Sequence, residues 1–189
     1  MKVVSTFFAS SSILHSVKCR VDTSGVEYLA VAHSSNLELF ALLAQGAKLQ
    51  CRLDIWGTIS SLTVVPHTVN KMLSFSCQGL MLEQDAPDTL LVTTETPDPL
   101  AILLEYVPET GGYEPFLREY SHLSLYSSHS RTMEHFQGAI VHPSGDVAIV
   151  ATYVGKLKAL VLKGNQRKKI KAEFDCMSVT ILYLPVAVS

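Results

Sequence analysis

The chain has 189 residues, 48% of them hydrophobic and 17% charged, with a formal net charge of −2. That is apolar material enough for one domain, too apolar for a disordered chain, and too near neutrality for bulk electrostatic capture of nucleic acid. No run of residues approaches the ~18 needed for a spanning helix, so no membrane partner is expected.

The opening stretch MKVVSTFFASSSIL imitates a secretory leader, with one cation before an apolar patch. Ser5, Thr6 and the serines at 10–12 dilute that patch well below the ~7–15 apolar residues a leader uses. Four cysteines follow, Cys19, Cys51, Cys77 and Cys176, with no C-x-x-C pair. Paired spacing is what lets two thiolates reach one metal or redox centre. Reduced thiols in an intracellular protein are therefore expected, with no metal and no cofactor.

Strand signals dominate from there. VEYLAVAH (26–33) and NLELFAL (36–42) flank a polar turn at Ser34-Ser35-Asn36. Leu37 and Leu39 alternate with Asn36 and Glu38, which is the period of a strand. Residues 146–162, DVAIVATYVGKLKALVL, repeat this layout without gaps at an offset of 120. Ile149 and Val150 then fall beside Leu29 and Ala30, and Leu157, Leu160 and Leu162 beside Leu37, Phe40 and Leu42. Gly155 sits where the turn calls for positive φ. A third copy, DTLLVTTETPDPLAILLEY (88–106), is two residues longer at a turn through Pro97-Asp98-Pro99.

The copies start at 26, 88 and 146. Between them lie KLQCRLDIW (48–56), TISSLTVV (58–65), YEPFLREY (113–120) and SVTILYLP (178–185), giving about four short strands per period. Repeats of ~40–50 residues with four strands each are the pattern of β-propeller blades. The expected fold is all-β: an incomplete β-propeller of about three blades of four-stranded antiparallel sheet, spanning 1–189 as the N-terminal part of a propeller domain. Residues 69–84, VNKMLSFSCQGLMLEQ, are expected to be an atypical insertion, either a loop or retained intron sequence. Three blades fall short of the ~4–8 of a closed ring, so the chain is expected to be a truncated copy of a longer protein.

Catalytic signatures are missing. There is no G-x-S-x-G elbow, and Ser144-Gly145 lies in HPSGD, which is turn chemistry. His122, His129, His135 and His142 have no metal-ligand pairing and read as loop histidines. Gly155-Lys156 lacks the upstream glycine of a phosphate loop. Asp54, Glu105 and Glu119 are scattered. No enzyme and no small-molecule substrate are expected.

The one distinctive charged stretch is KGNQRKKIKAEF (163–174), in which Lys163, Arg167, Lys168, Lys169 and Lys171 gather five cations within nine residues. Such a cluster can contact phosphates or serve nuclear import. The competing reading is a solvated loop between two strands, favoured because no aromatic residue interleaves to stack bases.

The ordered set KVVSTFFASSSILHSVKCRV, EYLAVAHSSNLELFAL, LDIWGTISSLTVV, DTLLVTTETPDPLAILLEY, FQGAIVHPSGDVAIVATYVGKLKALVL and FDCMSVTILYLP resembles the N-terminal propeller of one family. Its members are the damaged-DNA-binding large subunit, its fungal methyl-methanesulfonate-sensitivity relative, and the A subunit of the cleavage and polyadenylation specificity factor. The resemblance covers nearly the whole chain apart from 69–84. It implies a non-catalytic nuclear scaffold with protein partners in a multi-subunit complex. The first reading is an adaptor for a cullin-type ubiquitin ligase in the DNA damage response. The second is a nucleic-acid-binding subunit of a pre-mRNA 3′-processing or splicing complex. The resemblance carries no binding residue over to this chain.

Overall fold

The computed structural model describes residues 12–67, 87–96, 98–109, 111–128, 130–132, 138–163 and 169–176. Every regular element among them is a strand. Sheet 1 holds β1 (His15–Cys19), β2 (Glu27–Ala32), β3 (Asn36–Leu43) and β4 (Gly46–Asp54). Sheet 2 holds β5 (Thr58–Val65), β6 (Thr89–Thr96), β7 (Leu100–Val107) and β8 (Phe116–Ser124). Sheet 3 holds β9 (Gly138–Val141), β10 (Val147–Tyr153), β11 (Lys156–Lys163) and β12 (Lys169–Cys176). Each sheet is an antiparallel meander in chain order. The three repeated segments are its central hairpins, β2–β3, β6–β7 and β10–β11.

The sheets stack face to face, sheet 2 in the middle. β5 lies against both β1 and β9, and β8 against both β4 and β12, so first strands line one side of the arc and fourth strands the other. One core fills the gap between sheets 1 and 2, built from Tyr28, Ala30, Leu37, Leu39, Leu90, Val92, Ile102 and Leu104 among others. A second core, with Leu91, Ala101, Leu103, Leu125, Ala148, Val150, Leu160 and Leu162, joins sheet 2 to sheet 3. Sheet 2 is thus covered on both faces. This explains why its strands read as unbroken apolar runs, LLV and LAILL, while NLELFAL in sheet 1 alternates. Each fully buried leucine contributes roughly 1.5–3 kcal/mol of apolar burial.

The arrangement is that of three consecutive blades of a β-propeller. Several boundaries and registers differ from expectation for local reasons. The fourth strand of sheet 2 begins at Phe116 rather than 113, because Gly111 and Gly112 turn the chain with positive φ (61° and 88°) and Pro115 has no N–H for a ladder. β4 stops at Asp54, and the next N–H, of Ile55, turns away to Ser35 O at 2.8 Å. β1, β9 and β12 were not anticipated as strands. β12 also corrects the reading of 163–174 as a loop, since Lys169 onward is a strand. The segments 69–84 and 178–185 lie outside the described residues.

The ungapped alignment of the first and third hairpins slips by one residue along β10. A bulge between Ala151 and Tyr153 adds Thr152 to that strand. Ile149 therefore pairs with Ala159 as Ala30 pairs with Leu39, and Val150 turns toward sheet 2. The alignment along β11 stands.

Candidate interaction surfaces

Meandering strands sort the connections onto two ends of the molecule. The described residues that follow odd-numbered strands (20–26, 44–45, 66–67, 108–109 and 142–146) share one end. The described residues that follow even-numbered strands (33–35, 55–57, 98–99, 125–128 and 154–155) share the other.

At the second end, adjacent blades are built alike. Ile55 N–H donates to Ser35 O (2.8 Å) and Leu125 N–H to Pro99 O (2.7 Å), so each outermost strand is followed by a residue bonded to its own sheet's hairpin turn. Both side chains point inward and are buried. The next residue in each case is an exposed aromatic: Trp56 at 86% and Tyr126 at 65%. Tyr126 sits on a pinned loop. Ser127 N–H donates to the Tyr153 hydroxyl (3.0 Å), and Val154 N–H to Arg131 O (2.9 Å). Lys156 Nζ donates to Ser130 Oγ (2.7 Å) and Ser127 Oγ (3.4 Å). An ammonium donating to both hydroxyls clamps the loop and does not serve as a base for either.

His33, in the first hairpin turn, is also held at this end. Its Nδ1 lies 3.0 Å from Ser12 O and its Nε2 3.4 Å from Glu38 Oε2. Glu38 continues through Arg52 (3.9 Å) to Asp54 (3.3 Å from Arg52).

The first end carries the described part of the basic cluster. Lys163 and Lys169 are register partners closing the β11–β12 hairpin, and Lys171 is the extra residue of a bulge opposite Val161 and Leu162. Arg167 and Lys168 lie outside the described residues. Lysines and a bulge on an outermost strand are devices that discourage edge-to-edge pairing.

The other candidates fall apart in space or into local roles. His122 pairs with Glu119 (2.6 Å) on β8, while His142 accepts the Ser144 N–H (3.1 Å) within its own turn. His129 and His135 lie outside the described residues. Asp54 is engaged by Arg52, and Glu105 by Arg118 across the β7–β8 ladder. Among the described residues no three His, Cys, Asp or Glu are grouped to hold a metal ion, and no helix is long and apolar enough to cross a membrane. The Cys19 and Cys51 thiols are in the first core. Burial, the larger influence on each, pushes them up to about 12 and about 11, which keeps them protonated. Tyr28 is also held well above the usual phenol range, first by burial and then by its hydrogen bond to Asp22 Oδ2 (2.5 Å).

Three stacked four-stranded meanders with interaction-type surfaces at their loop ends define a propeller scaffold domain. The sequence profile of the RSE1/DDB1/CPSF1 first beta-propeller matches residues 12–182. The chain belongs to that family. A direct comparison with individual curated proteins gives no match.

Trp56 and Tyr126 were missed by reading the sequence. A signal was present, because Trp56 is the sole tryptophan and stands before Gly57 in a turn rather than in an apolar run. Their equivalence needed the hairpin-turn bonds of Ile55 and Leu125, which periodicity does not contain.

Proposed function

We propose that the chain is a non-catalytic propeller scaffold that recruits protein partners in the nucleus, in the manner of a cullin-type ubiquitin-ligase adaptor acting in the DNA damage response. The observation that supports a protein-contact role is the pair Trp56 and Tyr126. Trp and Tyr dominate the binding energy of protein interfaces. Two of them at equivalent places in adjacent blades give a partner two regularly placed anchors. The test is co-purification of the tagged chain with cullin-ligase components, using wild type and the Trp56→Ala/Tyr126→Ala double variant. Association with the wild type that drops for the double variant is expected. Recovery of polyadenylation or splicing factors in place of a cullin overturns the assignment.

The second reading is a nucleic-acid-binding subunit of a pre-mRNA 3′-processing or splicing complex. The gathering of Lys163, Lys169 and Lys171 at one hairpin end favours it. RNA binding that weakens steeply with salt, and weakens further for Lys168→Ala/Lys169→Ala, is its signature. Unchanged binding by that variant rejects it.

A further inference from the structure

The third strand of each sheet opens at the same place, yet its first residue differs. It is Asn36 in sheet 1, Leu100 in sheet 2 and Lys156 in sheet 3. The fold accepts an amide, an apolar chain or a cation there, so blade architecture does not require the charge of Lys156. The loop after β8 is nevertheless arranged around it. Ser127 and Ser130 turn their hydroxyls to the half-buried ammonium (3.4 and 2.7 Å) and lie 3.0 Å from each other.

This cation lacks a counter-charge. Lys18 meets Glu27, Arg52 meets Glu38 and Asp54, and Arg118 meets Glu105. Lys156 meets only the two neutral hydroxyls, and no carboxylate among the described residues pairs with it, Asp98 of the neighbouring turn included. An ammonium has three protons, of which the serines take two. One ammonium proton and at least one hydroxyl proton are therefore left for an anion. Tyr126, 65% exposed, stands one residue before Ser127 on the same pinned loop. An open aromatic ring and an unneutralised cation are thus neighbours.

We propose that Tyr126 belongs to a site for an acidic protein segment: an apolar residue of the partner lies on the Tyr126 ring, and an adjacent Asp or Glu carboxylate is received by Lys156, Ser127 and Ser130. The site deepens, and rests on, the protein-contact role proposed for Trp56 and Tyr126. Charge complementarity selects the occupant. A basic segment would oppose Lys156, and a wholly apolar one would cover the ammonium without giving it a partner, which is strongly unfavourable. A carboxylate instead adds charge-assisted hydrogen bonds, roughly twice as strong as neutral ones. The loop is already held by Ser127 N–H on the Tyr153 hydroxyl and Val154 N–H on Arg131 O, so little ordering remains for binding to impose.

An array of short peptides tests this, each holding Leu or Trp near a Glu, Gln or Lys on an otherwise Gly/Ser background. The labelled chain should bind Glu members on the order of ten-fold more tightly than their Gln counterparts, a preference that shrinks as salt rises. Tyr126→Ala should weaken both sets. Lys156→Glu should turn the preference toward Lys members, a gain that a merely disordered loop cannot produce; circular dichroism establishes that the variant keeps its strands. Equal binding of Glu and Gln members, with Tyr126→Ala still weakening both, overturns the acidic site and leaves the protein-contact role standing. Failure of every Glu member to bind overturns the acidic site as well. Binding indifferent to Tyr126→Ala removes the protein-contact role at this loop, and the acidic site with it.

Discussion

A Cβ built on Gly145 would stand 2.1 Å from the carbonyl oxygen of Pro66. Gly145 precedes β10 in sheet 3 and Pro66 follows β5 in sheet 2, so this approach locks one blade to the next. The preceding pair of blades uses the same place differently. Arg20, just after β1, and Asp88, just before β6, exchange two bonds: Arg20 N–H to Asp88 Oδ2 at 2.9 Å and Asp88 N–H to Arg20 O at 2.7 Å. Gly145→Ala should cost roughly 2–4 kcal/mol, combining a φ of +69° with displacement of a backbone oxygen. Gly155 has the same φ but open space around it, so Gly155→Ala should cost only about 1 kcal/mol. Urea unfolding of both variants reads the difference; equal costs would show that the Pro66 contact is not needed.

The turn of the middle hairpin depends on one hydroxyl. Thr94 Oγ1 donates to Asp98 O and accepts from Leu100 N–H, each at 3.1 Å, and the residue is buried. Thr94→Val keeps the shape and leaves both backbone groups without that partner, an expected loss of roughly 2–3 kcal/mol. Thr94→Ser retains the hydroxyl and should lose about 1 kcal/mol for the missing methyl. Thermal melts of the two variants test the order, which reverses if packing outweighs the hydrogen bonds.

Protonation of the two core thiols sets an alkaline limit on stability. In the unfolded chain they ionise near 9, while burial raises Cys19 to about 12 and Cys51 to about 11 in the folded state. The folded protein therefore holds protons that the unfolded chain releases. This contribution is complete below pH 9 and declines as pH rises through the window from 9 to about 11–12. Replacing both thiols by alanine should flatten that part of the stability profile, at the cost of small cavities. The same burial predicts that Cys19 and Cys51 resist iodoacetamide at pH 8 until urea unfolds the chain; rapid native labelling at either would contradict it.

Much of the fold was legible because the central hairpin of each blade has a strong pattern. TISSLTVV was placed to the residue as Thr58–Val65, and Gly155 takes the positive φ expected of it (69°). β1, β9 and β12 escaped notice for a physical reason. HSVKC and GAIV are short, and KIKAEFDC carries charges that periodicity assigns to solvent; pairing across the sheet, not local propensity, makes them strands. The slip at Thr152 has the same origin, since a bulge is a property of two strands together. The basic cluster was visible as composition, yet composition could not show that Lys163 and Lys169 face each other across a ladder. Trp56 and Tyr126 became a pair only through three-dimensional equivalence.

The link between β5 and β6 is where the chain can be shortened. It runs from 66 to 88, 23 residues, whereas 20–26 joins β1 to β2 with seven and 142–146 joins β9 to β10 with five. Removing 69–84 leaves seven residues there, the number that suffices in sheet 1. Both anchors survive the deletion: Pro66, which receives Gly145, and Asp88, which holds Arg20. Loop closure entropy favours the shorter link by about 1 kcal/mol, because a threefold change in length enters only as (3/2)RT ln n. A protein lacking 69–84 should therefore fold with a melting temperature equal to or slightly above that of the parent, and keep its partner binding. A loss of several degrees, or of cooperativity, would mean that those sixteen residues contribute to the blade rather than extend its loop.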